Sequence, residues 1–296
     1  MSPYYQAFGL NIYSRFIIPM LPVGGDGSDL VISLGNIDGL SGETVFENEY
    51  YQIGARELLA RIPGVGEILI RGGKEIIVDP VSSTGLSEIY SYVLGLAISI
   101  ILYQRGDICL HGSIIKIKDQ GVLIAGKSGA GKSTVSSVLC SRGYPFLTDD
   151  MALIRVLEDK VFAFSSYPYR KLWQNAIENL NVDGQRTQFP VAADMDKYNV
   201  CYQDCFSPSP LELSTIFYLK KADVETVQIK ELFGIDKMEV LVDNTYGSFL
   251  VNYCGLQKVY FDLCSVILDK VKMYEIIRPT EKMVQEEIAD LIIQHL

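Results

Sequence analysis

Histidine is nearly absent from this chain: two among 296 residues, His111 and His295, with a single tryptophan. So few imidazoles exclude a histidine-rich metal centre. The six cysteines, at 109, 140, 201, 205, 254 and 264, include no Cys-x-x-Cys pair. Cys201 and Cys205 have no neighbouring histidine to complete a zinc set, so reduced thiols are expected. Positive charge is also short. Lys and Arg number 26 against 36 Asp and Glu, a formal charge of −10, which disfavours nonspecific nucleic-acid binding. No uncharged run reaches the roughly 20 residues of a spanning helix. The longest, Ile89–Tyr103, is interrupted by tyrosines and Gly95 and reads as a buried core helix. Met1-Ser-Pro-Tyr-Tyr-Gln has no basic segment leading into an apolar one, so a cytoplasmic chain without a membrane partner is expected. What is present is core material. Hydrophobic residues make up 48%, with 18 Tyr and 12 Phe, too apolar and aromatic for disorder.

Residues 1–80 read as β-rich. Short apolar runs at Leu10–Tyr13, Leu30–Leu34, Glu67–Ile70 and Ile76–Val78 are separated by Gly, Asp and Pro clusters. Gly72-Gly73 predicts a tight hairpin turn. Residues 21–29 read as a loop, and 79–85 as a boundary, with Ser87 placed to cap a helix running to about Gln104. From Ile108 the grammar becomes strand, strand, glycine-rich loop, helix (132–141), strand, as in an α/β layer. Arg170–Leu180 and Ile235–Val242 read as helices and Thr215–Leu219 as a strand. Residues 181–210 read as a mobile loop or a substrate-facing insertion. Thr280–Leu296 reads as a closing helix.

Gly126-Lys-Ser-Gly-Ala-Gly-Lys132-Ser133 fits GxxxxGK[ST], between a buried apolar strand and a helix. Glycines let the backbone turn its N–H groups toward phosphate oxygens, and the helix start adds its positive dipole end. The nucleotide-binding candidates are Gly126, Ser128, Gly129, Ala130, Gly131, Lys132, Ser133 and Thr134. Lys132 is placed to reach the β- and γ-phosphates of ATP, and the Ser133 hydroxyl to hold Mg²⁺. The pattern alone leaves kinases, ATPases, GTPases and transporters open.

Asp149 and Asp150 follow Ser133 by 16 and 17 residues, beyond one helix and a short connector. In a parallel α/β sheet the next strand returns its carboxyl end to the phosphate site. There one carboxylate can hold Mg²⁺ while the other accepts a proton from an attacking hydroxyl. His111, on the strand before the loop, is by itself ordinarily a packed core residue. Leu40-Ser-Gly-Glu-Thr44 and Gly64-Val-Gly66 read as turns, because neither has the context of a transporter signature or a dinucleotide fingerprint.

Leu110-His111-Gly-Ser113, the loop Gly121–Ser133, Arg142-Gly-Tyr and Asp149-Asp150 resemble, in order and spacing, the catalytic domain of HPr kinase/phosphorylase. That family comprises bacterial P-loop serine kinases related to phosphoenolpyruvate carboxykinase. The resemblance implies that Asp149 deprotonates the acceptor serine and that His111 sits near the transferred phosphate. It further implies that Lys132 and Ser133 are the loop lysine and metal-binding hydroxyl, and that Asp150 supports the metal. Two family features differ. Thr134 stands where glutamate is common, and the later Glu-x-Arg-Gly signature is missing, with Tyr169-Arg-Lys-Leu-Trp173 in roughly that region. Tyr5–Ser14, Tyr103-Gln-Arg-Gly, Lys171-Leu-Trp173 and Tyr274–Pro279 resemble shorter HPr-kinase-like proteins of peptide-modification clusters. Those linked to lasso peptides phosphorylate a serine at the C-terminal end of the precursor.

The expected protein is α/β. A small β-rich N-terminal part (1–85) precedes a P-loop kinase domain of the HPr kinase / PEP carboxykinase type (86–296). The catalytic candidates are Asp149, His111 and Lys132, and the metal candidates are Ser133 and Asp150. Arg170, Lys171 and Arg278 are candidate phosphate or peptide contacts, each with the plainer alternative of a solvated cation. ATP and Mg²⁺ are the expected cofactors. The expected partner is a peptide with an acceptor serine, in a chain compatible with a homo-oligomer. Alternatives are a kinase of a small hydroxyl compound such as free serine, a kinase of HPr, and a nucleotide-gated module without catalysis.

Overall fold

The computed structural model describes residues 3–174, 177, 188–191 and 196–296. The chain divides into two compact units. The first is Met1–Asp107 with Phe189–Lys197 and Gly247–Val259; the second is Ile108–Gln188, Tyr198–Tyr246 and Tyr260–Leu296.

In the first unit, strands β1 (Tyr4–Ala7), β2 (Leu10–Ser14), β3 (Leu30–Leu34), β4 (Thr44–Glu47), β5 (Tyr51–Gly54), β6 (Glu57–Ile62), β7 (Gly66–Arg71) and β8 (Glu75–Pro80) form one sheet. Its order is β1-β2-β3-β8-β7-β6-β5-β4. Alternation sets the faces: Leu10, Ile12 and Ser14 are buried while Asn11 and Tyr13 are half-buried between them. The hairpin at Gly72-Gly73 forms, but Arg71 pairs with Glu75, so the connection has three residues.

Helix α1 (Leu86–Gln104) follows, with a π-helical turn at Val93–Ala97. Its N-cap is Gly85 with no side-chain bond, so Ser87 does not cap it. By length and composition α1 is long and apolar enough to cross a membrane, yet 67% of its apolar window is buried inside the protein, as a core helix requires. Its end is fastened to the β7–β8 turn. The Gly73 N–H donates to Gln104 Oε1 at 2.8 Å, and Arg105 Nη1 donates to the Gly73 carbonyl at 3.1 Å. These contacts place 86–104 with the first unit, whereas the sequence division falls at residue 85.

The second unit is built on β9 (Ile108–Ile117), β10 (Gln120–Gly126), β11 (Phe146–Thr148), β12 (Met151–Leu157), β13 (Lys160–Phe164), β14 (Tyr169–Trp173), β15 (Gln188–Pro190), β16 (Lys197–Cys201), β17 (Leu211–Ala222), β18 (Gln228–Glu231) and β19 (Lys272–Pro279). The ladder β10-β9-β12-β13-β17 closes on itself because β10 also pairs with β17. Among the described residues its helices include α2 (Lys132–Ser141), α3 (Gly234–Asp243) and α6 (Gln285–Gln294). α4 (Phe249–Tyr253) lies in the first unit, and α5 (Gln257–Lys270) begins in it. α2 and α6 cover one sheet face over Ile124, Phe217, Leu219 and Ile276. Arg142 joins them by ion pairs to Glu286 (2.5 Å) and Asp290 (2.7 Å).

Three sequence expectations are corrected. The sheet is mixed rather than parallel: β10 is antiparallel to β9 and parallel to β17. Arg170 to Trp173 is strand β14, not helix. The extended form prevails because the Lys171 N–H is taken by an Asp149 carboxylate oxygen at 2.9 Å, a partner no local pattern reveals. The remainder of that expected helix lies mostly outside the described residues. Within the expected loop 181–210, residues 181–187 and 192–195 lie outside them too, but Gln188–Pro190 and Lys197–Cys201 are strands.

Candidate active site

Strand polarity assembles the site. β10 and β11 both run antiparallel to β9, so their carboxyl ends meet at the same edge. Ala125 pairs with Gly112 on one side, and Met151 pairs with His111 on the other. The Gly112 N–H also donates to the Asp150 carbonyl at 3.2 Å. Gly112 is therefore flanked by the start of the glycine loop and by the acidic pair. A Cβ there would lie 2.6 Å from the Ile124 carbonyl, so the Leu-His-Gly-Ser sequence needs its glycine.

Between β10 and α2 the loop turns through glycines. Gly126 has φ +144°, and a Cβ on it would stand 2.5 Å from the Leu219 carbonyl. Ser128 and Gly129 are exposed, Ala130 and Lys132 are buried, and Gly131, Ser133 and Thr134 are half-buried. Lys132 Nζ donates to the carbonyls of Gly126 (2.7 Å) and Lys127 (3.2 Å), so the ammonium sits within the loop's own curve.

The two aspartates have different surroundings. The Asp149 side chain is only 2% exposed. Its Oδ1 accepts from the Ser113 hydroxyl at 2.5 Å and its Oδ2 from the Lys171 N–H at 2.9 Å. Asp150 has φ +77° and a more open side chain, 18% exposed, which Lys171 Nζ meets at 2.6 Å. His111 Nδ1 lies 2.9 Å from the Asp150 carbonyl, which can only accept. That nitrogen therefore carries the proton of the neutral ring and leaves Nε2 as the free acceptor. Burial pushes the His111 pKa down. Lys132 adds to this, and the pull of Asp150 and Asp149 does not offset it. The imidazole is accordingly neutral near pH 7. Burial alone would lower Lys171, but Asp150, Tyr167 and Tyr246 outweigh it and leave Lys171 raised and charged. Burial also raises the Tyr167 phenol to about 12.

The structure thus brings together the loop, His111, Asp149, Asp150 and Lys171. Arg278 joins them: its Nε donates to the Ala130 carbonyl at 2.8 Å, and it lies beside Gly131. Arg170 does not join them as a substrate contact. It is fully buried beneath α2, where Nη1 donates to Ser137 Oγ (2.8 Å) and Nη2 to the Ser133 carbonyl (2.9 Å) and to Ser136 Oγ. The guanidinium also lies 4.0 Å from Asp149 and over the rings of Phe146 and Tyr202. It ties the Asp149 carboxylate to the helix start and is buried away from any ligand.

Sequence reasoning missed two participants. Ser113 lies two residues beyond His111 on one strand, so period-two geometry placed it on the same face. Asn244, just past α3, gave no signal. Its Oδ1 accepts the Gly126 N–H at 2.9 Å and its carbonyl accepts the His111 N–H at 2.5 Å, so one residue holds the loop and the histidine strand together.

The geometry defines a class of site: a glycine loop between strand and helix, faced by paired carboxylates, a neutral histidine and a charged lysine. A family profile described as the HPr Serine kinase C-terminal domain matches residues 105–174, which hold all of those groups. The HPr kinase/phosphorylase of Mycoplasmopsis pulmonis is 29% identical over 109 residues, 36% of this chain and 34% of its own. That of Chlorobium phaeovibrioides is 36% identical over 93 residues, 31% of this chain and 26% of its own. The chain spans about a quarter to a third of the length of these curated relatives. The solved HPr(Ser) kinase/phosphatase from Coxiella burnetii covers 63% of this chain and 95% of its own at 12% identity, with a TM-score of 0.33, too low a likeness to assign the fold.

Proposed function

We propose that the second unit is an ATP- and Mg²⁺-dependent kinase that transfers the γ-phosphate to a serine hydroxyl of a peptide. The finer acceptor we propose is the C-terminal serine of a lasso peptide precursor. The observation that carries the reading is the meeting, on either side of Gly112, of the loop's start and the Asp149-Asp150 pair. A phosphate-binding cradle and a proton acceptor at one sheet edge are what phosphoryl transfer to an alcohol requires.

The loop N–H groups and Lys132 hold the phosphates. Arg278 approaches from the Ala130 side and neutralises charge on them. Among the described residues no three His, Cys, Asp or Glu side chains gather to hold a metal. Magnesium needs no such cluster, since it keeps waters and phosphate oxygens and takes one or two protein oxygens. The Ser133 hydroxyl and Asp150 fit that donor set. Magnesium, when bound, would supply further charge neutralisation. Asp149 is held rigid by Ser113 and the Lys171 N–H, with lone pairs left to accept the serine proton. The difference in exposure, 2% against 18%, favours a second reading in which Asp150 takes the proton and Asp149 anchors the site.

Mass spectrometry of a serine-ended precursor peptide incubated with the protein, ATP and Mg²⁺ tests both readings. A gain of one phosphate on that serine, absent from an alanine-ended peptide, is expected. Asp149→Asn abolishes transfer under the first reading. Under the second, Asp150→Asn abolishes it and Asp149→Asn only weakens it. ATP binding without transfer to any peptide or small alcohol would leave the nucleotide-gated module.

A further inference from the structure

On the sheet face opposite α2, a cavity of about 270 Å³ opens beside the glycine loop. Tyr218 of β17 lines it. Phe217 and Leu219 lie in the core under α2, so alternation turns Tyr218 to the other side. Tyr218 is 8% exposed, and its hydroxyl has no hydrogen-bond partner among the described residues. Burial, with Asp243 and Glu275 adding to it, keeps this phenol protonated.

The charged groups around it are unevenly paired. Lys220 and Lys230 both reach Glu275, at 3.7 and 3.0 Å. Lys127 reaches Asp243 at 3.8 Å. These contacts occupy all three lysines of the lining. Asp236 and Glu239, one helical turn apart on α3, have no salt bridge among the described residues, although Lys230 also feels the charge of Asp236. Four carboxylates therefore face three ammonium groups, with an unpaired phenol among them. The cavity also adjoins the candidate active site: Lys127 follows Gly126, and Asp243 precedes Asn244, which bonds both Gly126 and His111.

We propose that this cavity binds a basic side chain, lysine or arginine, of the acceptor peptide close to the hydroxyl that is phosphorylated. The proposal rests on the peptide-kinase reading and adds the substrate's charge to it. An ammonium or guanidinium group brings positive charge to Asp236 and Glu239 and N–H donors to the Tyr218 oxygen. A phosphate would meet the surplus carboxylates, and a nucleotide base, though it could lie on the Tyr218 ring, brings no positive charge to Asp236 and Glu239.

The test uses serine peptides that differ in one residue near the acceptor, arginine or uncharged citrulline, and follows phosphorylation by the full chain. The arginine peptide is expected to show kcat/KM higher by about fivefold, the upper end for an ion pair whose carboxylates are exposed. Glu239→Gln and Tyr218→Phe should shrink that preference to about threefold or less, through KM, with ATP affinity unchanged. Equal rates for the two peptides, or a preference unmoved in both variants, would overturn the proposal. Titration of the protein with agmatine, a dication that carries both an arginine-like guanidinium and a lysine-like ammonium, separates this failure from that of the kinase reading. If no peptide is phosphorylated but agmatine binds saturably and both variants weaken it, the cation site stands and the kinase reading falls. Absence of saturable agmatine binding overturns the site itself.

Discussion

The Ser113 hydroxyl donates to Asp149 Oδ1 across 2.5 Å, and both groups are buried. Ser113→Ala strips a buried carboxylate of one donor, a change that costs about 1–3 kcal/mol. A lower urea midpoint with unchanged slope is expected, together with slower transfer at unaltered ATP affinity. Unchanged stability would mean that the carboxylate finds another donor at no cost.

Arg170 and Arg278 should separate cleanly. Arg170→Met leaves Asp149 and the hydroxyls of Ser136 and Ser137 without a buried cation, and losses of roughly 3–5 kcal/mol follow such breaks. Its effect appears first in thermal unfolding. Arg278→Ala removes a half-buried guanidinium beside Ala130 and Gly131 and is expected to leave unfolding nearly unchanged. It should weaken binding of a fluorescent ATP analogue by about tenfold, as loss of one charge-assisted phosphate contact does. The reverse pattern would return Arg170 to the ligand.

Asn244→Ala breaks the bond to the Gly126 N–H and leaves that buried donor unpaired, at a cost of about 1–3 kcal/mol. Since the same residue adjoins the His111 strand, nucleotide binding and transfer rate should fall together. Fluorescence titration and single-turnover kinetics on one preparation check this.

His111 gives a pH signature. Its folded pKa lies below its ordinary 6.5, chiefly through burial. Between those two values the unfolded chain holds a proton that the folded chain does not. Stability therefore falls as pH drops from about 6.5 toward the folded pKa and is flat in this contribution below it. His111→Gln should flatten the difference in unfolding free energy between pH 7.5 and 5.5, with carboxylate contributions common to both proteins. An undiminished slope in His111→Gln would show that other groups carry it.

Much of the site was legible because its chemistry is sequence-local. The glycine loop, its flanking strand and helix, and the acidic pair after β11 all follow from short-range pattern. What pattern could not supply was long-range pairing. Arg170 reads in the sequence as a phosphate or peptide contact or a solvated cation, because nothing in Tyr-Arg-Lys-Leu-Trp shows that the hydroxyls of Ser136 and Ser137 lie over it. The helix expected over Arg170–Leu180 gives way to strand over Arg170 to Trp173 for the same reason, since the decisive hydrogen bond of Lys171 N–H goes to Asp149, 22 residues away. Asn244 binds Gly126 across 118 positions, beyond any motif. In the first unit, β4 and β5 lack the clean apolar runs that betrayed β3 and β7.

Phosphorus NMR of ATP, Mg²⁺ and a serine-ended peptide with the protein tests the central claim most directly. Loss of the γ resonance, matched by appearance of ADP and a phosphomonoester on the peptide, is predicted, with both changes abolished by Lys132→Met. ATP that persists unchanged, or that yields only inorganic phosphate with the peptide unmodified, would contradict the assignment of a serine kinase.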